Sequence, residues 1–135
     1  MDAKLRRLVR QRANARCEYC HLSQAAAPFA PFHLEHVVAQ QHRGGDAPSN
    51  LAFACHRCNC FKGTNLTGID PTSRKITRLF HPRRHKWSRH FEWSGAILIG
   101  KTAIGRTTVV VLQINDPESV REREEIMAEC LFDFD

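Results

Sequence analysis

Residues 32–63, FHLEHVVAQQHRGGDAPSNLAFACHRCNCFKG, hold most of the side chains in this chain that could do chemistry. They contain an adjacent acid and imidazole (Glu35, His36), a glycine-bearing turn, an Asn-Leu step at Asn50, and a Cys-x-x-Cys running into Asn59 and Lys62. A second Cys-x-x-Cys, Cys17 and Cys20, lies upstream. Hydrolysis of a phosphodiester needs an activated water, neutralisation of charge in the transition state, and help for the leaving oxygen. Histidine suits the first task because it titrates near neutral pH. One hard cation suits the other two. Oxygen ligands from Glu35 and Asn59, completed by waters, suit Mg²⁺ or Mn²⁺.

Cys17, Cys20, Cys55 and Cys58 form two knuckles separated by 34 residues. Four thiolates suit a closed structural zinc with no water position, so this metal holds structure rather than doing chemistry. An iron–sulfur cluster uses the same four ligands and stays open on spacing alone. A redox dithiol lacks the βαβ surroundings it needs. The leftover Cys60 and Cys130 read as small buried hydrophobes. His33 shares a strand face with Glu35 and is a further candidate ligand or phosphate contact. His56, between the zinc cysteines, reads as a bystander.

These side chains need elements to position them. Leu5, Leu8, Val9 and Ala13 recur at helical spacing and predict a basic helix over 2–15. Residues 32–39 and 51–54 read as strands, with turn chemistry at 42–49 between them. Residues 56–62 read as a short helix closed by Gly63. Residues 64–73 read as a loop. Two β-branched stretches, 96–100 and 107–114, read as a hairpin. Asp116 and Pro117 start a final helix whose apolar stripe is Ile126, Met127, Cys130 and Leu131. We expect a single α+β domain: a catalytic core over about 17–63, a basic-aromatic and hairpin extension over 74–115, and an acidic helix over 117–131.

The order and spacing of Glu35-His36, Gly44-Gly45, Asn50-Leu51 and Cys55-x-x-Cys58-Asn59-x-x-Lys62-Gly63 resemble the HNH endonuclease family. The resemblance covers 32–63 together with the Cys17/Cys20 knuckle found in zinc-containing members. It implies a ββα-metal core with a structural four-cysteine zinc site, an N-terminal helix, and a C-terminal β-hairpin and terminal helix around it. It implies His36 as general base and Glu35 as ligand to a catalytic Mg²⁺ or Mn²⁺. Asn50 would hold the inter-strand loop and orient the histidine. Asn59 falls where many members carry a metal-binding histidine, so the chain looks like an H-N-N variant. DNA would be cleaved to 5′-phosphate and 3′-hydroxyl ends.

Charge agrees with a polyanionic partner. Residues 1–115 carry 18 Lys+Arg against 6 Asp+Glu, whereas 116–135 carry 2 against 8. Residues 74–89 alone hold seven Lys+Arg and no acid. Lys62, Arg83, Arg84, Lys86 and Arg89 are candidate phosphate contacts. Phe80, Phe91 and Trp93 read as core. The start of the chain lacks the apolar centre of a signal peptide, and no apolar run spans a membrane, so a cytoplasmic protein is expected, as monomer or homodimer. The rival reading is a non-catalytic zinc-dependent nucleic-acid-binding module.

Overall fold

The computed structural model describes residues 2–129. Cys130 and Leu131 of the expected terminal stripe lie outside the described residues. The element order is α1 (Ala3–Arg12), β1 (Phe32–His36), β2 (Leu51–Cys55), α2 (His56–Lys62), β3 (Thr67–Ile69), β4 (Ile76–Arg78), α3 (Trp87–His90), β5 (Phe91–Ser94), β6 (Ile97–Gly100), α4 (Ala103–Val111) and α5 (Pro117–Ala128). The strands form three separate antiparallel pairs, β1–β2, β3–β4 and β5–β6. The fold is α+β.

Asp2 caps α1, its side chain accepting from Leu5 N at 2.7 Å, a contact worth about 1 kcal/mol. The helix stops at Arg12, short of the expected 15, because Asn14 and Ala15 both take positive φ. Val9 is fully buried against Leu51 and Phe53 of β2. Arg12 donates to the carbonyls of Pro48 and Leu51 at 2.9 and 2.7 Å. Part of the N-terminal basic charge is therefore structural.

β1 pairs with β2 in the register His36↔Leu51, Glu35↔Ala52 and Leu34↔Phe53. The strand ends at His36 rather than at 39, and the chain turns out through a loop that Asn50 ties together. Asn50 accepts from Val38 N at 2.9 Å and donates to Val38 O and Gly45 O at 3.0 and 2.9 Å. Gly44 sits so close to this tie that a Cβ there would lie 1.6 Å from Val38 O. The second strand then runs directly into α2.

Two expectations are corrected. Residues 107–114 do not pair with 96–100. Most of them lie in α4, and β6 pairs instead with β5 in the register Trp93↔Leu98. Five β-branched residues in a helix cost about 3 kcal/mol relative to alanine. Each apolar side chain buried just beyond it, Leu112 and Ile114, returns about 2 kcal/mol. Thr102 caps the helix by accepting from Gly105 N at 3.1 Å. Thr108 donates to Ile104 O and accepts from Phe80 N, so its hydroxyl is satisfied inside the core. Residues 64–73, read as a loop, contain β3.

The larger core gathers Tyr19, Val37, Leu79, Phe80, Phe91, Leu98, Leu112 and Ile114 around the four cysteines. Phe80 and Phe91 meet edge-on with centroids 5.2 Å apart, and Trp93 packs partly buried against the same cluster. α5 docks onto α2 through Arg57, which reaches Asp116 at 2.7 Å. No helix among the described residues is long and apolar enough to cross a membrane.

Candidate active site and metal centre

The four-cysteine cluster is assembled from three places. Cys17 and Cys20 sit after α1, Cys55 ends β2, and Cys58 lies in α2. All four are buried, with ligand atoms within 4.8 Å of one another, and the Cys20 and Cys55 sulfurs are 3.7 Å apart. A zinc tetrahedron with Zn–S near 2.3 Å has sulfur–sulfur edges of about 3.8 Å, so the residues fit that ion. Protons also reveal the crowding. Hydrogen bonds from Cys17, Cys20 and Cys58 hold the Cys55 thiol far below its usual range. Cys20 and Cys58 are pushed well up, first through hydrogen bonding with Cys17. Four thiolates cannot coexist there without a cation. Glu18 clips the first knuckle to β2, its amide donating to Phe53 O and its carboxylate accepting from Phe53 N, both at 2.8 Å.

The next residue along α2, Asn59, belongs to a second site. Glu35, His36, Asn59, Gln40, Gly63 and Thr64 line one open cleft of about 360 Å³. His36 is the last residue of β1, half-buried, with its Nε2 2.7 Å from Asp46 Oδ1. A carboxylate accepts, so a neutral imidazole making this contact carries its proton on Nε2 and has its lone pair on Nδ1. Asp46 was read only as turn chemistry. Its place directly after a glycine pair carried no signal of this contact.

Glu35 forms the floor. Its carboxylate is buried, with Tyr19 Oη donating to Oε2 at 2.6 Å and Lys62 Nζ at 2.5 Å from Oε1. Burial pushes the Glu35 carboxyl up, and Lys62 pulls it back. Lys62 Nζ also donates to Val37 O at 2.9 Å. Alternation along β1 thus sends Glu35 inward while the strand end frees His36. Lys62, expected on a phosphate, is 1% exposed and faces the interior. A side chain so placed offers no surface to a substrate. Tyr19, which no motif marked, is fully buried beneath the same floor.

The other candidates divide. His33 Nε2 lies 3.0 Å from His56 Nδ1, one turn from Asn59. Cys60 is exposed, not buried as expected, with its sulfur 3.5 Å from His56 Nε2. Arg83 is spent on an ion pair with Glu18, whereas Arg84, Lys86 and Arg89 are exposed. Burial, with Arg84 nearby, lowers the His81 imidazole to about 4. His85 and His90 are lowered by the same cause. These histidines are neutral near pH 7, so the segment's positive surface comes from its lysine and arginines.

Residues 17–64 match the model of the HNH endonuclease family. This stretch is an HNH domain. The match begins at Cys17 and ends just after Gly63, so it takes in both knuckles, β1, β2 and α2. No curated protein and no solved structure matches the chain. The HNH domain carries the four-cysteine metal centre within its own boundaries. Its α2 contributes Cys58 to that centre and Asn59 to the cleft.

Proposed function

We propose that the protein is a DNA endonuclease in which His36 is the general base and Glu35 and Asn59 hold a divalent cation, Mg²⁺ or Mn²⁺. The observation that carries this reading is the meeting of Glu35, His36 and Asn59 at one open cleft inside the HNH domain. His36 accepts a proton from water at Nδ1, and Asp46 steadies the imidazolium that results. Asn50 fixes the loop that carries Asp46 and the end of β1. Glu35 and Asn59 offer the oxygen donors that suit a hard cation, and a cation reaching Glu35 would have to displace the Lys62 ammonium that lies 2.5 Å from Oε1. When bound, the cation supplies charge neutralisation at the phosphate and at the leaving oxygen. Arg84, Lys86 and Arg89 offer exposed charge for the DNA backbone.

The test is nicking of supercoiled plasmid in a Mg²⁺ and Mn²⁺ series. His36→Ala should lower the rate by about 10²-fold or more while DNA binding survives. Equal cleavage by His36→Ala would refute the mechanism. A second reading, a non-catalytic nucleic-acid-binding module, is favoured by one feature, the engagement of Glu35 by Lys62 and Tyr19. DNA binding without nicking under every cation would select it.

A further inference from the structure

The β3–β4 hairpin lies beyond the HNH domain and is built to show an apolar pair to solvent. Its register is Thr67↔Arg78, Gly68↔Thr77 and Ile69↔Ile76. Side chains alternate across a strand, so Gly68 and Thr77 face one side and Ile69, Ile76 and Arg78 the other. The first side is pressed onto α4: a Cβ on Gly68 would lie 2.4 Å from Val111 Cγ2 and 2.9 Å from Thr107 Cγ2. The turn is braced by Asp70, fully buried, which accepts from Arg106 Nε and Nη2 at 3.0 and 2.9 Å. It also accepts from the amides of Thr72 and Ser73. On the outer side Ile76 is 76% exposed and Ile69 47%.

A rigid platform that holds two adjacent isoleucines in water invites an occupant. Charge says which. Arg74, Lys75 and Arg78 surround the pair and are all exposed. Between residues 64 and 86 the sole acid is Asp70, and Arg106 neutralises it inside. A second copy would bring the same cations face to face across a two-fold axis. A polyanion would not. Thr64 lines the catalytic cleft. Ile69 is five residues on, hence within about 17 Å of it, or roughly five base pairs of duplex.

We propose that the outer face of this hairpin enters the minor groove of duplex DNA beside the cleaved phosphate. Ile69 and Ile76 wedge against one base step, and Arg74, Lys75 and Arg78 contact the flanking phosphates. Apolar side chains used in this way unstack a step and bend the duplex. The inference rests on the endonuclease reading above, because it places the groove next to the cleft.

The experiment uses the full chain carrying His36→Ala, so that cleavage does not disturb binding, and duplexes with 2-aminopurine at successive positions. The expected result is a fluorescence rise confined to one or two steps near the cut site. In the same background Ile69→Ser/Ile76→Ser should bind roughly tenfold or more weakly and lose that rise. Its salt dependence should be unchanged, since no phosphate contact is removed. Arg78→Gln should instead lower the salt slope by about one. Both isoleucines are exposed, so the serine variant should keep the wild-type melting temperature. Unchanged affinity and no 2-aminopurine signal would overturn the inference while leaving wild-type nicking, and so the endonuclease reading, intact. Conversion of a dimer to a monomer with DNA affinity kept would overturn it in favour of a second copy. Absence of any DNA binding would overturn both.

Discussion

Lys62→Met is the most informative single change. The methionine fits the space of the lysine stem but removes the ammonium that sits 2.5 Å from Glu35 Oε1 and 2.9 Å from Val37 O. Glu35, 4% exposed, would keep only the Tyr19 hydroxyl. Breaking a buried pair on one side costs about 3–5 kcal/mol because the surviving charge is stranded. A domain of this size has about 5–15 kcal/mol in all, so urea unfolding should show the loss without difficulty. The loss should also depend on pH with a definite sign. Burial already raises the Glu35 carboxyl, and removing Lys62 raises it further. A carboxyl raised in the folded state binds more protons there than in the unfolded chain, so the variant should gain stability as pH falls. Lys62→Met/Glu35→Gln should recover a large part of the loss at neutral pH. If Glu35 is a cation ligand, millimolar Mn²⁺ should stabilise Lys62→Met more than wild type, the variant itself gaining about 2.7 kcal/mol at a hundredfold excess over its Kd. A loss under about 1 kcal/mol, joined to a salt slope for DNA binding reduced by about one, would refute the reasoning and put Lys62 on a phosphate.

Chelation, or Cys17→Ser, should abolish the cooperative unfolding transition, since structural zinc sites contribute about 10–16 kcal/mol; full retention of melting temperature after Cys17→Ser would count against a four-cysteine zinc. Asp46→Asn should slow cleavage about tenfold or more with DNA affinity kept, because the amide no longer fixes the His36 tautomer, and Asp46→Glu should restore part of the rate. Unaltered cleavage by Asp46→Asn would remove that residue from the site. Hydrogen bonds from Arg106 hold the Asp70 carboxyl far below the carboxylate range, against burial. A depressed folded-state pKa stabilises above the unfolded value and is lost as pH falls. Asp70→Asn should therefore lower the melting temperature at pH 7, and the gap from wild type should begin to narrow only below about pH 4 and shrink progressively as pH falls further.

The HNH core was legible because its signals are local. Four cysteines, a strand ending in an acid and a histidine, and a helix closed by glycine can be read within a few residues each. The expected helix over 56–62 coincides with α2. What was not legible depends on tertiary placement. The β-branched run 107–111 has the composition of a strand, yet both its threonines are buried in a helix, and the Thr108 hydroxyl is satisfied there by Phe80 and Ile104, contacts that no window contains. The β3 strand is three residues long and sits beside Asp70 and Pro71, so turn chemistry hid it. The direction of Lys62 could not be read either. Helical spacing put it on the face of Asn59, but whether that face met water or Glu35 depended on how tightly α2 lies against β1.

That tightness is the physical link between the two sites. A seven-residue helix does not hold its own shape in water. In α2 the first turn is fixed by Cys58 in the thiolate cluster and the last by Lys62 on Glu35 and Val37 O. Asn59 lies between these two anchors and faces the cleft. Neither anchor touches the reacting atoms, yet each sets where the Asn59 oxygen can be. The cysteine end would be released by chelation of its metal and the ion-pair end by protonation or mutation. A catalytic cation held by Glu35 and Asn59 would feel both, because Glu35 is itself one half of the second anchor. The buried pair is then more than a stabilising contact: it couples the floor of the cleft to the helix that completes it.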